Sequence, residues 1–253
     1  DIHGMSLPLS GTAGGDHLIY IDFKKRYDLD ARIAAAVEAG LEDVAAELRK
    51  NRSRAGILVA DVAGHRMTDA LVAAMLHQAF LLGSYYELEM FGQITTKLIE
   101  QIKTRFYEST NIKKLVAMIY GEISDQGRFR YVSAGNTPPI VFSREYGRIM
   151  PLGADRTVSD TLIGLFPATG GRGPGERCVV NELELLGRGD ILLLTTDGLT
   201  EHAGGQFLGQ RLEPLLDAGK DRSARDICAT LRDAIVDFAP RTDDITFALI
   251  KKL

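Results

Sequence analysis

The stretch Gly56-Ile-Leu-Val-Ala-Asp-Val-Ala-Gly-His65 decides the fold, because an uninterrupted apolar run ends in an acidic residue. The run over residues 56–60 is short and apolar, which predicts a buried strand. Asp61 stands at the end of this strand, and the apolar sequence from about Thr68 predicts a long helix. The stretch therefore predicts a strand that carries a carboxylate into a turn, followed by a helix.

Short apolar or alternating segments on both sides of this stretch predict further strands. The predicted strands cover residues 18–23, 56–60, 115–123, 128–133, 140–142, 178–186, 190–196 and 245–251. The opening residues 1–15 and the Gly-rich residues 151–175 are predicted to be irregular. Hairpin-length turns join several of these strands, which favours antiparallel sheets over a doubly wound parallel sheet.

Apolar residues at helical spacing predict helices over residues 29–50, from about residue 68, over 91–109 and over 223–238. Gly40 interrupts the first helix and is a candidate break into two shorter ones, since glycine inside a helix costs roughly 1 kcal/mol. Ser223 is a suitable N-cap for the last helix. Residues 199–219 are predicted to be of mixed structure.

The composition excludes several classes of protein. The chain has 253 residues, of which 45% are hydrophobic, and its formal charge is −4. This length and apolar content suffice for a packed core and argue against disorder. There is no basic tract to neutralise nucleic-acid phosphates, and no apolar run of the roughly 18 residues that a membrane span needs.

Two further features bear on the kind of protein and its location. Cys178 and Cys228 show no spacing pattern, so neither a disulfide framework nor a zinc site is predicted. The chain begins at Asp1 without a Met or a signal-like region. We therefore expect a segment of a longer cytoplasmic protein.

Acidic residues stand at the ends of four predicted strands. Asp61 and Asp197 follow strands, whereas Asp16 and the pair Asp243-Asp244 precede them. Because one strand ends beside the start of its antiparallel neighbour, these side chains can meet at one edge of a sheet. A cluster of buried carboxylates needs a cation, and oxygen ligands suit Mg²⁺ or Mn²⁺. The alternative is ordinary turn chemistry, as at Asp197-Gly198, and the residues alone leave both interpretations open.

Five short motifs occur in a recognisable order. They are Gly14-Gly-Asp16, Val59-Ala-Asp-Val-Ala-Gly-His65, Ser133-Ala-Gly-Asn-Thr-Pro-Pro139, Thr196-Asp-Gly-Leu-Thr-Glu201 and Thr242-Asp-Asp-Ile-Thr246. In this order they resemble the PPM-type metal-dependent serine/threonine protein phosphatases, in particular the bacterial SpoIIE/RsbU-like subgroup. Each motif alone is weak, but together they extend the resemblance over about residues 14–252.

The resemblance implies an α+β fold in which two antiparallel sheets pack as a sandwich flanked by helices (αββα). It also implies one phosphatase domain over residues 1–253, with a helical insert at about residues 29–50. Two Mn²⁺ or Mg²⁺ ions would lie at one edge of the sandwich. The residues that it assigns to this metal centre are Asp16, Asp61, Val62, Asp197, Asp243 and Asp244.

The motif positions imply a role for each of these residues. Asp61 resembles the aspartate that bridges both ions, and Val62 would contribute its backbone carbonyl. Asp197 and Asp243 resemble direct ligands. Asp244 stands where relatives often carry Asn and would hold the ligands in place without binding an ion itself. Asp16 would bind an ion directly or through water, and with Asp61 it is a predicted catalytic residue.

The implied reaction is direct hydrolysis of phosphoserine or phosphothreonine on a bacterial signalling protein. Two ions, in such sites roughly 3.5–4 Å apart, lower the pKa of a shared water and polarise the phosphoryl oxygens. A phosphoenzyme is not expected, since neither cysteine begins a Cys-x5-Arg phosphate loop. By analogy with the subgroup, the substrate would be a phosphorylated STAS-type anti-sigma-factor antagonist in stress signalling.

The alternative function is a catalytically inactive phosphatase-like module that binds a partner without hydrolysing it. Such a module would be expected to have lost Asp61, Asp197 or Asp243, and all three are present. The sequence therefore favours an enzyme. An upstream sensor or receiver domain is expected to control it, so we predict low basal activity in this isolated segment.

Some positions allow two interpretations. His65 either orders its loop or acts as a catalytic acid. Arg66 either is an exposed residue at a helix start or reaches a substrate phosphate. Asn136, where relatives often carry His, is explained by a turn. The insert at residues 29–50 either packs on its own sheet or docks a sensor domain or the second subunit of a homodimer.

Overall fold

The strands form two antiparallel sheets. The computed structural model describes residues 1–11, 14–64, 67–109, 114–166, 178–185 and 187–253. Within these residues the first sheet contains, in spatial order, β1 (Ile2–Leu7), β10 (Ile245–Lys251), β9 (Ile191–Thr195), β6 (Ile140–Ser143) and β7 (Arg148–Met150). The second sheet contains β2 (His17–Asp22), β3 (Arg54–Val62), β4 (Val116–Ser124), β5 (Arg128–Ala134) and β8 (Asn181–Glu184). Every pairing within the two sheets is antiparallel.

Helices cover the outer faces of both sheets. The described helices are α1 (Phe23–Arg26), α2 (Leu29–Glu38), α3 (Glu42–Lys50), α4 (Met67–Phe91), α5 (Thr96–Ser109), α6 (Asp197–Thr200), α7 (Glu213–Gly219) and α8 (Ala224–Phe238). Helices α2 to α5 share a hydrophobic core with the second sheet, and α6 to α8 share one with the first. The predicted αββα sandwich is confirmed.

Strand β3 shows why this sequence forms the centre of the sandwich. Side chains alternate between the two faces of a strand. Ile57 and Val59 therefore lie in the core between the sheets, where Leu192 of β9 also lies. Leu58 belongs to the core on the helix side, together with Phe80 of α4. Both faces of β3 are buried from Gly56 to Ala60, so this part of its sequence is apolar.

The structure corrects three predicted elements. Residues 2–7 form β1 and are not irregular, because they pair with β10 along the whole strand. The helix predicted over 91–109 begins at Thr96, since α4 continues to Phe91. The strand predicted over 178–186 is reduced to Asn181–Glu184. Part of the Gly-rich segment 151–175 lies outside the described residues.

Other predictions are confirmed. Helix α2 ends at Glu38 and α3 begins at Glu42, on either side of Gly40. Ser223 caps α8, because its side chain accepts a hydrogen bond from the backbone N–H of Asp226. None of the described helices combines the length and the apolar character that crossing a membrane requires.

Candidate metal centre

The structure brings five acidic residues, which we call the acidic edge, to one end of the sandwich. Asp61 is the second-last residue of β3, and Asp16 directly precedes the neighbouring strand β2. Asp197 begins α6 and is separated from the end of β9 by Thr196, whereas Asp243 and Asp244 precede β10. Two acids therefore come from the second sheet and three from the first. Their role as metal ligands stays a prediction.

Asp61 lies at the electrostatic centre of the acidic edge. Burial is the largest cause of its raised pKa, and the charges of Asp16, Asp197 and Asp243 add to the effect. Together they raise the pKa of Asp61 to about 8. Asp61 also shares a hydrogen bond with Asp197. Two carboxyl groups that share a hydrogen bond need either a proton or a cation between them.

Asp16 is buried and held by hydroxyl groups. Its Oδ2 accepts a hydrogen bond from Thr196 Oγ1 at 2.8 Å, and the hydroxyl of Thr246 also bonds to it. Burial raises the pKa of Asp16 to about 7, with contributions from the charges of Asp244 and Asp243, while the two hydroxyl groups oppose the shift. Asp16 is therefore fixed in one orientation at the base of the acidic edge.

Asp244 differs from the other acids, because its carboxylate is occupied by backbone groups. Oδ1 accepts the N–H of Leu9 at 2.6 Å, and Oδ2 accepts the N–H of Gly15 at 2.7 Å. The residue is only 4% exposed. Asp243, by contrast, is exposed, and its Oδ1 accepts the N–H of Asp244 at 2.8 Å. Asp244 thus anchors the segment that leads into Asp16.

The backbone of Val62 lies against Gly15. A Cβ atom placed on Gly15 would come within 2.5 Å of the Val62 carbonyl oxygen and within 2.3 Å of the Gly64 carbonyl oxygen. The N–H of Val62 in turn donates to the carbonyl of Gly15 at 3.3 Å. Only glycine allows this close approach. The predicted carbonyl ligand is therefore on the side of β3 that faces Asp16, while His65 and Arg66 lie outside the described residues.

Sequence reasoning assigned no role to several residues that hold the acidic edge together. Thr196 and Thr246 stand inside the quoted motifs, and their polar side chains among buried strand residues are a usable signal. Asn136 does more than form a turn, because its Nδ2 donates to the carbonyl of Thr195 at 3.0 Å and so links the two sheets. Lys114, just before β4, gave no signal in the sequence.

The donor set suits a hard divalent cation. The acidic edge and the Val62 carbonyl offer only oxygen atoms, which Mg²⁺ and Mn²⁺ prefer. Among the described residues, no three Asp, Glu, His or Cys side chains are already arranged as a complete set of metal ligands. The charges of the neighbouring acids nevertheless add to the effect of burial in raising the pKa values of Asp16 and Asp61.

Comparison with protein families and curated sequences gave one match. Residues 51–252 match the family described as Stage II sporulation protein E (SpoIIE). No curated protein sequence matched the chain.

Solved structures gave further matches. The RsbU and RsbW domains of a Mycobacterium tuberculosis protein have a TM-score of 0.68 at 19% identity, covering 99% of this chain and 59% of that one. The PP2C phosphatase domain of SpoIIE from Bacillus subtilis, with a fragment of its regulatory domain, has a TM-score of 0.65 at 13% identity, covering 99% and 63%. RsbX in complex with magnesium has a TM-score of 0.56 at 16% identity, covering 98% and 92%.

At these identities the similarity shows a shared fold. The chain spans 59% and 63% of the length of the first two structures.

Proposed function

The chain belongs to the SpoIIE family of PPM-type phosphatases, and on this premise we propose that it hydrolyses phosphoserine or phosphothreonine on a signalling protein. The observation that carries the proposal is the contact between Asp61 and Asp197 at the acidic edge. Both are carboxylates, and the pKa of Asp61 is raised to about 8 by burial and by its acidic neighbours. Bound cations would remove this repulsion.

We assign the residues of the acidic edge to two groups. Asp61, Asp197 and Asp243 would hold Mn²⁺ or Mg²⁺, together with the carbonyl of Val62. Asp244 would position rather than bind, since backbone N–H groups occupy both of its carboxylate oxygens. The magnesium complex of the structural neighbour RsbX supports a divalent cation in this fold.

Two bound ions would supply an activated water and would neutralise the charge of a phosphoryl group. The chain's own residues would prepare the site for this chemistry. Thr196 and Thr246 hold Asp16 in place for a direct or water-mediated contact. Asp197 and Asp243 are exposed, so the site opens at the surface, where a phosphorylated side chain of another protein can reach it.

We further propose a STAS-type anti-sigma-factor antagonist as substrate. One structural neighbour joins RsbU and RsbW domains, and another carries a fragment of a regulatory domain. An upstream sensor or receiver domain and a homodimer remain proposals of the same kind. The apolar side chains that α4 exposes, among them Leu71, Met75 and Leu82, offer a surface for such a partner.

Phosphate release from a small aryl phosphate tests the proposed activity. We expect turnover with Mn²⁺, loss of turnover with a chelator, and loss of turnover in Asp61→Asn, because that variant removes the central carboxylate. Asp125→Asn is the matched control, since Asp125 is an exposed acid after β4, at the far end of the sheet from Asp61. A serine-phosphorylated STAS protein then tests the proposed substrate.

Activity that ignores both the metal and the Asp61→Asn change would rule out the proposed mechanism. A folded protein that binds the phosphorylated partner but releases no phosphate would instead indicate the inactive binding module.

A further inference from the structure

Lys114 joins two parts of the chain that flank the acidic edge. Its Nζ donates to the carbonyl of Ala63 at 2.9 Å and forms an ion pair with Asp69 Oδ1 at 2.8 Å. Ala63 follows β3 directly, and Asp69 belongs to the first turn of α4. Asp69 is 0% exposed, so this ion pair is buried on its acidic side.

The short turn after Asp61 is held on several sides. The N–H of Val62 donates to the carbonyl of Gly15, and the N–H of Ala63 donates to the carbonyl of Leu115 at 3.0 Å. The bond from Lys114 then fixes the carbonyl of Ala63 as well. Both polar backbone groups of Ala63 are therefore hydrogen-bonded. The peptide groups on either side of Ala63, the first of which contains the Val62 carbonyl, cannot rotate freely.

Gly64 shows how closely the turn packs on the ion pair. Its φ of +114° lies in the region that favours glycine. A Cβ atom there would come within 2.4 Å of Asp69 Oδ2 and 3.2 Å of Lys114 Nζ. The backbone of the turn and the ion pair are thus in direct contact.

The charges of the pair also matter for a neighbouring cation. An ammonium group beside a metal site would repel the metal, but Asp69 compensates the charge of Lys114. Lys114 can therefore donate a hydrogen bond to the turn while the pair as a whole is neutral.

We infer that Lys114 is a positioning residue for the metal centre. By fixing the Ala63 carbonyl, it orients the Val62 carbonyl and the Asp61 carboxylate toward the cation. This inference rests on the proposed function, because it assumes a divalent ion at the acidic edge. Replacing a residue that orients metal ligands but does not bind the metal typically changes metal affinity by about 10–100-fold.

The affinity of the whole chain for Mn²⁺, measured by calorimetric titration without substrate, tests this role. We expect Lys114→Met to weaken Mn²⁺ binding by about 10–100-fold. Lys114→Arg keeps a cationic donor and should recover most of the affinity. Thermal unfolding of each variant shows that it is folded at the temperature of the titration.

Lys114→Met removes the ion pair between Lys114 and the buried Asp69, which is expected to destabilise the first turn of α4. The double variant Lys114→Met/Asp69→Asn limits this effect, because it removes both charges. We expect its Mn²⁺ affinity to stay low, since the bond to Ala63 is still missing. Lys103→Met is the matched control, because Lys103 forms another buried ion pair, with Asp160, and its second hydrogen bond goes to Thr161. It should lower the unfolding temperature and leave Mn²⁺ affinity unchanged.

Two results would overturn the inference. One is wild-type Mn²⁺ affinity in folded Lys114→Met when Asp61→Asn has lost binding. The other is full recovery of affinity in the double variant, which would assign the effect to the charge of Asp69 and not to the missing bond to Ala63. Mn²⁺ binding that does not respond to Asp61→Asn would instead contradict the metal centre itself.

Discussion

The five acids of the acidic edge are chemically alike, but their neighbours give them different tasks. Asp244 is surrounded by backbone N–H groups, and Asp16 is held by two hydroxyl groups. Asp197 and Asp243 face the solvent, whereas the pKa of Asp61 is raised by burial and by the charges of its acidic neighbours. A residue's position in a motif therefore says that it belongs to the site, and its contacts say what it does there.

Thr196→Val tests the support of Asp16. Loss of the hydroxyl removes a hydrogen bond that lowers the pKa of Asp16, so this pKa should rise above about 7. We expect the pH range over which the metal-free protein loses stability to extend to higher pH. The N–H of Thr246 also loses its acceptor, Thr196 Oγ1, which should cost about 1–3 kcal/mol of stability.

Thr195→Val provides the control for this substitution. Its hydroxyl donates to the carbonyl of Thr246 at 3.0 Å, but Thr195 is not among the groups that affect the pKa of Asp16. The control should lose stability without extending this pH range. A range that extends equally in both variants would contradict the role of Thr196.

The acids were predictable from the sequence because each stands at the end of an apolar run. The residues that orient them were not. Thr196 contacts Asp16 across 180 positions of the chain, and Lys114 contacts Ala63 across 51. Such contacts depend on the packing of the two sheets, so even the position of Thr196 inside a motif does not reveal which residue it contacts.

At the scale of elements, hydrophobic periodicity predicted the helices and strands whose own sequence is amphipathic or apolar. It missed elements that are defined by their pairing with another part of the chain. Strand β3 is apolar on both faces and was predicted, although shorter than observed. Strand β1 was missed, because most of its residues are only half-buried and it is defined by its pairing with β10. The boundary between α4 and α5 was predicted too early, at residue 91. The helix α4 continues to Phe91, and its apolar residues do not mark where it ends.

Helices α2 and α3 pack on the second sheet. This favours the interpretation that residues 29–50 pack on their own sheet over the interpretation that they dock a partner. Ile33 and Leu48 are buried in the core that also contains Phe80 of α4. Val37 and Leu41 remain exposed on the other side. Docking of a partner there remains a proposal, and these exposed residues are where it would be tested.

Leu48→Ala should lower the free energy of unfolding by about 2–5 kcal/mol, because Leu48 is 1% exposed and the smaller side chain leaves a cavity. Chemical denaturation measures this change. Leu41→Ala is the control, since Leu41 is 49% exposed and should cost much less. Equal losses in the two variants would show that α3 does not pack as described.

At the scale of the molecule, the site exists only where the two sheets meet. Asp16 and Asp61 come from the second sheet, and Asp197, Asp243 and Asp244 come from the first. The fold class and this convergence could be predicted from strand order and motif order. The distances between the acids could not, because they follow from the packing of one sheet on the other.

The pH dependence of stability should report this convergence. The folded-state pKa values of Asp16 and Asp61 are raised to about 7 and about 8, from an ordinary value of 3.8. Between these limits the folded protein binds more protons than the unfolded chain, so metal-free stability should fall as pH rises from about 4 to about 8. Below that window both states are protonated, and the effect disappears.

Thermal unfolding across this window measures the effect. Mn²⁺ should raise the unfolding temperature most at the alkaline end, because it binds the ionised carboxylates of the folded state. Asp61→Asn should give a flatter metal-free profile than the unaltered chain. If the unfolding temperature changes with pH equally in the two proteins, the pKa of Asp61 is not raised by burial and its acidic neighbours.

The bonds from Leu9 and Gly15 to Asp244 have a practical consequence for shortened versions of this protein. A fragment trimmed to residues 51–252, the part that matches the family, would keep Asp61, Asp197 and Asp243. It would lack both amide donors to Asp244, Asp16 itself and the outermost strand of each sheet on that side. The part of the chain that matches the family is thus shorter than the part that builds the acidic edge, so a preparation of the domain should retain residues 1–50.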